Sequence, residues 1–313
     1  MEFKHYPVML AEAVEGLAVD PDGIYCDGTV GGAGHSGVIA KKLAAGKGRL
    51  ICLDRDPEAV KTASERLEGL PAQVVRANYS EIRRVMTELG IDGFNGILLD
   101  LGVSSYQLDN AERGFSYRAD APLDMRMSGE GLSAEDVVNT YTYEELSRII
   151  FEYGEEKFAR SIAAGIVKAR EREPIKTTFQ LSEIISNSMP QKAKRTKNPS
   201  KKTFQAIRMA VNDELGHLDK ALDEAFDCLA VGGRLAVITF HSLEDRLVKQ
   251  RFASFCTGCI CPPDFPVCVC GKTPRGRLVT RKPITPSEKE LAENRRSHSA
   301  KLRVIEKIKM IKI

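Results

Sequence analysis

The sequence predicts an α/β fold, an open and mostly parallel sheet interrupted by an inserted all-helical domain. Three observations predict it. Apolar runs of strand length alternate with helical patterns from Ile24 to Asp100, and successive runs end in acids that would share one edge of a sheet. Beyond Asp100 the strand-like runs stop and return only at Arg234. A chain of 313 residues is also long for one domain, which favours a core with an insertion.

The elements follow in order. His5-Tyr6-Pro7-Val8-Met9-Leu10 leads into an amphipathic helix ending at Leu17, and Gly23-Ile24-Tyr25-Cys26 is the first strand. Asp27 to Gly37, DGTVGGAGHSG, is a glycine-rich turn before the helix-like run Val38 to Leu43. Gly32, Gly34 and Gly37 fit G-x-G-x-x-G, whose missing side chains let backbone N–H groups approach a ligand at a helix N-terminus. Arg49 to Leu53 is the second strand and ends in Asp54, placed where a carboxylate receives ribose hydroxyls. Pro57 suits the first turn of the next helix. Ala72 to Arg76 is the third strand, Asn78-Tyr79-Ser80 caps a helix to Leu89, and Gly96 to Leu99 ends in Asp100. Open α/β sheets bind ligands at such an edge. The glycines leave a dinucleotide and S-adenosylmethionine both open. A dehydrogenase needs a second mononucleotide-binding half, which does not follow Asp100, whereas the sulfonium cofactor needs only one half-sheet.

Leu101 to Ser128 reads as loop. Helical patterns follow at Ser133 to Asn139, Tyr143 to Glu152, Glu155 to Arg172 and Thr178 to Ser188, and Thr203 to Leu229 reads as one long helix returning to the core. Gly232-Gly233 turns into the fifth strand, Arg234 to Phe240, with His241-Ser242 at its end and a helix from Leu243 to Phe255. Ala300 to Ile308 is the last strand. The expected organisation is a core over 1–105, an inserted helical substrate-recognition domain over 106–215, and the rest of the core over 216–313 with a cysteine-rich hairpin at 256–280.

Net charge is only +3, but its distribution is uneven. Lys192, Lys194, Arg195, Lys197, Lys201 and Lys202 lie together with no acid between them, and Arg275, Arg277, Arg281, Arg295 and Arg296 enrich the tail. Such patches suit a polyanion as well as a solvated surface. No run of eighteen apolar residues occurs and Met1 to His5 shows no signal-peptide pattern, so the expected setting is cytoplasmic. Of eight cysteines, Cys26, Cys52 and Cys228 sit in apolar runs, while five crowd into CTGCICPPDFPVCVC. There Cys256, Cys259, Cys268 and Cys270 form a C-x-x-C and a C-x-C pair that suit tetrahedral zinc, a structural ion if bound. C-x-C is tighter than the usual knuckle and Cys261 stands outside both pairs, so thiols without metal are the expected state.

Several longer stretches are distinctive: HYPVML at His5, DGTVGGAGHS at Asp27, LDRDP at Leu53, DLGVSSYQLD at Asp100, RGFSY at Arg113, PLDMRM at Pro122, KTFQAIRMAVN at Lys202 and FHSLEDRLVK at Phe240. Through them the chain resembles the MraW (RsmH) family of S-adenosylmethionine-dependent methyltransferases, which methylate N4 of a cytosine in the decoding region of bacterial small-subunit (16S) ribosomal RNA. The resemblance implies a Rossmann-like methyltransferase core, S-adenosylmethionine as cofactor, and ribosomal RNA in an assembled or nearly assembled small subunit as partner. It places cofactor contacts on Ala33, Gly34, His35, Asp54, Tyr79, Asp100 and Gln107, beside Gly32 of the glycine loop. Tyr79 stands where the family often has Phe, keeping an aromatic face for adenine. The cysteine cluster occurs in only part of the family.

Candidate chemistry centres on two strand ends. Methyl transfer from a sulfonium is an in-line displacement that depends on positioning. Asp100 is placed to accept both N4 hydrogens of a cytosine, or to bind cofactor alone. Other amino-methyltransferases carry an Asn/Asp-Pro-Pro-aromatic tetrad here, but this chain has Asp100-Leu101-Gly102-Val103, so base stacking falls to Tyr106, Phe115 or Tyr117. His241 is a candidate for proton removal or simply caps the following helix. Arg113, Arg126 and Arg208 are candidates for phosphate or base contacts, with an internal network through Asp124 as the rival reading. Lys194, Arg195 and Lys197 are candidates for RNA grip. Two other functions stay open: a methyltransferase for DNA or a small molecule, and an RNA-binding assembly factor with a vestigial pocket.

Overall fold

The structure is a computed structural model that describes residues 7–194, 198–262, 265, 267 and 269–309. The chain divides into two compact units, one of residues 1–102 with 216–313 and the other of 103–215. Among the described residues, no helix is long and apolar enough to cross a membrane.

In chain order the first unit opens with α1 (Leu10–Leu17), β1 (Ile24–Asp27), α2 (Gly34–Leu43), β2 (Arg49–Asp54), α3 (Pro57–Arg66), β3 (Ala72–Arg76), α4 (Ile82–Glu88) and β4 (Phe94–Asp100). The second unit carries α5 (Ser105–Asp109), α6 (Ala134–Thr140), α7 (Tyr143–Glu152), α8 (Ala159–Arg170), α9 (Thr178–Asn187), α10 (Gln191–Lys194) and α11 (Ser200–Asn212). After α12 (Glu214–Asp227), the first unit resumes with β5 (Leu229–Thr239), α13 (Ser242–Cys256), β6 (Gly276–Leu278), α14 (Glu288–Glu293) and β7 (Lys301–Lys307).

Among the described residues, seven strands form one sheet in the order β3-β2-β1-β4-β5-β7-β6. β1 to β5 pair in parallel, while β7 runs antiparallel between β5 and β6. Strand periodicity explains why helices cover both faces. In β2, Leu50 and Cys52 join α1, α2 and α3 through Leu17, Ile39, Leu43 and Ala63. Ile51 and Leu53 point the other way, to Ile82 and Val85 of α4, Leu222 and Phe226 of α12, and Phe252 of α13. β4 and β5 divide in the same way, so the central strands read as continuous apolar runs. Gly96 in β4 makes room for the Tyr25 ring, since a Cβ there would come within 2.7 Å of it. The order reverses direction between β1 and β4, and that switch point is where such sheets place ligands.

The second unit is helical around Leu146, Ile149, Ile162, Ile166, Leu181, Ile185, Phe204 and Ile207. Its helix starts are written locally: Ser133 with Asp136, Thr142 with Glu145 and Thr177 with Gln180 form capping boxes, each satisfying N–H groups that the first turn leaves open.

Two expectations are corrected. Thr203 to Leu229 is two helices, because Asp213 adopts the left-handed region (φ 44, ψ 45) while the buried Asn212 amide bonds Met125 and Met127. Leu101 to Ser128 is not all loop, since Ser104 and Gln107 build a capping box that starts α5. Within 256–280, α13 ends at Cys256 and β6 pairs with the distant β7, and the expected hairpin turns through residues 263, 264, 266 and 268, which lie outside the described ones.

Candidate active site

The carboxyl ends of β1, β2 and β4 are bound into one framework by the turn that follows β1. Asp27 is buried and accepts from the Ser36 hydroxyl at 2.6 Å and from the Thr29 N–H at 3.1 Å. Thr29 Oγ1 in turn accepts the N–H of Asp100 at 2.7 Å, which ties β1 to β4. Toward β2, Asp54 accepts the N–H of Gly31 and the N–H of Asp56, each at 2.9 Å. The turn is thus pinned on both sides.

The glycines of the pattern divide by role. Left-handed backbone falls on Gly31 (φ 47) and Ala33 (φ 60), not on Gly32 or Gly34. Gly32 offers its carbonyl to Arg66 at 2.7 Å. Gly34 opens α2 against Pro7, which a Cβ would meet at 2.8 Å. Gly37 lies inside α2 with nothing within 4 Å of an added Cβ, so the third glycine of the motif is not demanded by this turn.

Asp100 stands at the switch point. Its Oδ1 is buried and has no hydrogen-bond partner among the described residues, and its Oδ2 lies 3.7 Å from His35 Nδ1. His35 is buried, with Nε2 3.0 Å from the Val8 carbonyl. A carbonyl only accepts, so Nε2 carries hydrogen and Nδ1 is the atom turned to the acid. Burial pushes Asp100 up to about 6; His35 opposes this, while Asp27 and Glu244 reinforce it. Asp54 is also pushed up to about 6 by burial, against the pull of its two backbone donors. Burial raises Asp27 in the same direction. Tyr79 begins a 3₁₀ turn after β3, set by a capping box between Asn78 and Glu81. A Cβ on Gly28 would lie 3.0 Å from Tyr79 Cβ, so the tyrosine abuts the turn after β1.

His241 is the N-cap of α13. Its Nδ1 accepts the Glu244 N–H at 3.4 Å, while Glu244 Oε2 accepts the N–H groups of Phe240 and His241 at 2.8 and 3.3 Å. Its Nε2 lies 3.1 Å from Glu244 Oε1, off the line of a hydrogen bond. With the Nδ1 lone pair given to the cap, Nε2 holds the hydrogen and the neutral ring has no lone pair left for proton abstraction. Of the two readings of His241, proton removal or capping of the following helix, these contacts describe the cap.

The remaining candidates belong to the second unit. Gln107 is buried and closes the capping box of α5, accepting the Ser104 N–H at 3.0 Å. Arg113 donates to the carbonyls of Arg126 and Met127 at 2.9 and 3.1 Å, with its guanidinium 5.8 Å from the Phe115 ring centre. Arg126 grips Asp124 through Nη2 at 2.6 Å and Nε at 3.1 Å. Arg208 is a two-pronged partner of Glu214 at 2.8 and 2.9 Å. Arg126 makes the pair with Asp124 that the rival reading described, while Arg113 and Arg208 bond other groups of the same unit. Of the stacking candidates, Phe115 is buried, Tyr117 packs edge-on against Phe204, and Tyr106 is 52% exposed. The Lys194 side chain, Arg195 and Lys197 lie outside the described residues. The links missed from sequence are Asp27, Thr29 and Ser36. Asp27 did carry a signal, an acid ending an apolar run like Asp54 and Asp100.

The sequence profile of the MraW methylase family matches residues 2–308. A ribosomal RNA small subunit methyltransferase H 2 of Agathobacter rectalis is 56% identical over 312 residues, covering 98% of this chain and 99% of that protein. A ribosomal RNA small subunit methyltransferase H of Lachnospira eligens is 55% identical over 312 residues, covering 98% and 99%. Among solved structures, an rRNA methylase of Streptococcus thermophilus aligns over 96% of this chain and 95% of its own, with a TM-score of 0.42 and 11% identity. A match of such identity along almost the whole length leaves one assignment: the chain belongs to the MraW methylase family.

Proposed function

We propose that this chain transfers the methyl group of S-adenosylmethionine to the exocyclic N4 of a cytosine in the decoding region of small-subunit (16S) ribosomal RNA, acting on an assembled or nearly assembled small subunit. Methylation of ribosomal RNA rests on full-length relatives named as ribosomal RNA small subunit methyltransferases, and S-adenosylmethionine as the donor rests on the family. The residues fit the cofactor. Asp54 ends β2 where a ribose diol is received, and the turn through Gly31 and Ala33 leads into the N-terminus of α2.

When bound, S-adenosylmethionine supplies an electrophilic methyl group on a sulfonium. The chain's task is then to hold the acceptor nitrogen in line. The N4 lone pair of cytosine is delocalised into its ring, and a carboxylate that accepts the amino hydrogens favours a pyramidal, nucleophilic nitrogen. The observation that carries this reading is the Asp100 Oδ1 at the end of β4, buried and without a partner among the described residues. Asp100 is ionised at neutral pH even with its raised value, so it can accept. His241 keeps the end of β5 ordered through its cap, and Lys194, Arg195 and Lys197 supply phosphate attraction.

The test is transfer of tritium from labelled S-adenosylmethionine onto small subunits that lack the modification, followed by nucleoside analysis. Label on N4-methylcytidine in the decoding region is expected. Label on a ring carbon, or on protein alone, refutes the reading.

A further inference from the structure

Between α13 and β6 the chain makes an excursion over 257–275 that contains no helix or strand among its described residues. Its apolar side chains are not buried: Ile260, Phe265, Val267 and Val269 are 63, 51, 70 and 73% exposed. Ordering backbone costs roughly 1–2 kcal/mol per residue, and this segment has no core of its own to offset that cost. Small substructures in that position are held by cross-links or metals.

Three sulfurs converge inside it. The Sγ atoms of Cys259, Cys261 and Cys270 all lie within 4.8 Å of one another, and Cys259 and Cys270 are 3.7 Å apart. A disulfide requires about 2.05 Å. A tetrahedral thiolate shell with metal–sulfur bonds of about 2.3 Å puts neighbouring sulfurs about 3.8 Å apart. Each sulfur also receives a backbone N–H: Cys261 donates to Cys259 at 3.4 Å, Val269 to Cys261 at 3.3 Å and Ile260 to Cys270 at 3.4 Å. Donors aimed at sulfur favour the thiolate and fix its direction, as partners around metal ligands do. Two of the three run crosswise between the arms of the excursion, so the polar contacts and the sulfurs share one centre. Cys256 is different. Its thiol is raised by burial, takes the Leu278 N–H instead, and stands outside the cluster. The grouping therefore differs from the pairs read from spacing, with Cys261 inside and Cys256 outside; Cys268 lies outside the described residues.

We infer that Cys259, Cys261 and Cys270 supply three thiolate ligands to a zinc ion that folds the excursion between α13 and β6, with water in the fourth tetrahedral position. Thiolates select zinc among the common divalent ions, and binding releases the thiol protons to solvent. The ion's role is to fold the segment, since the described residues there form no core of their own and its binding energy is then folding energy.

The full-length protein, purified without chelator from zinc-supplemented medium, is expected to hold about one zinc per chain by elemental analysis, in keeping with a single tetrahedral centre. Cys261→Ser and Cys270→Ser should each lower that content at least tenfold, while Cys256→Ser keeps it. Stripping zinc from the wild type should open 257–275 to limited proteolysis with the main melting transition unmoved, and added zinc should restore resistance. Cobalt in place of zinc should give intense sulfur-to-metal charge-transfer absorption. Because a serine variant that misfolds would lose metal trivially, wild-type zinc affinity is also measured against a chromophoric chelator. Affinity weaker than micromolar, a Cys259–Cys270 disulfide by mass, or metal lost from Cys256→Ser but kept by Cys261→Ser would overturn the assignment.

Discussion

Asp100 and Asp54 share a direction of pKa shift but not a set of partners, and the difference decides what each substitution does. Both are pushed from 3.8 up to about 6, so the folded state holds their protons more tightly than the unfolded chain. Each contribution to stability is therefore full below about pH 4 and is lost as pH rises through about 6, at a cost of about 3 kcal/mol at most by neutrality. Asp100 has an oxygen with no donor among the described residues, so Asp100→Asn removes an ill-solvated charge without orphaning any N–H described there. Its melting temperature at pH 7.5 should rise, while methyl transfer should fall by roughly 10² or more, the scale of a group that handles protons in the transition state. Asp54→Asn turns an NH₂ toward the N–H of Gly31 or Asp56 and should melt lower than the wild type. Calorimetry and single-turnover transfer read both. An Asp100→Asn enzyme at wild-type rate would remove Asp100 from the chemistry. In the wild type, kcat/KM should fall on acidification through about pH 6 as Asp100 protonates. These acids were legible in the sequence because each closes an apolar run. The setting of Asp100 was not, because the Val8 carbonyl that orients His35 is a backbone acceptor 27 residues away, which leaves no mark in composition or spacing.

At the scale of elements, the legible features were those encoded within a few residues. The helix starts at Thr142 and Thr177 follow from Thr-x-x-Glu and Thr-x-x-Gln, and α3 follows from Asp56 with Pro57 at its first position. The break at Asp213 was hidden because no glycine or proline announces it; it depends on the Asn212 amide reaching Met125 and Met127, far off in sequence. The strand order was hidden for the same reason, since packing on both faces of the sheet sets it. His241 shows how a strand end can mimic a catalytic position. Its ring occupies the place of a capping side chain, and Asn caps at least as well. His241→Asn should keep stability near wild type and retain most activity, while His241→Ala should lose about 1 kcal/mol. Measured together, denaturant melts and kcat separate the two roles. If Asn preserves the melt but costs kcat a hundredfold, the imidazole itself acts in the reaction and capping is not its only use.

Over the whole molecule, 46 basic and 43 acidic residues nearly cancel, so long-range attraction to RNA cannot come from net charge. It must come from where the charges stand. The helical unit of 103–215 commits Arg113, Arg126 and Arg208 to its own carbonyls and carboxylates, whereas the stretch from Lys192 to Lys202 holds six basic residues and no acid. Phosphate contacts made there release counterions, so each one lost should reduce the slope of log affinity against log salt by about 0.7–0.9. Replacing Lys194, Arg195 and Lys197 by Glu should weaken binding to ribosomal RNA alike for matched and unrelated sequences, and flatten that slope by roughly 2 to 3. S-adenosylmethionine affinity, read by calorimetry, should not move, because the turn after β1 with Asp54 and Asp100 belongs to the other compact unit. Equal loss of cofactor and RNA binding would mean that the basic stretch supports the fold instead of gripping phosphate. An unchanged salt slope would move the RNA contact to the arginines of the tail.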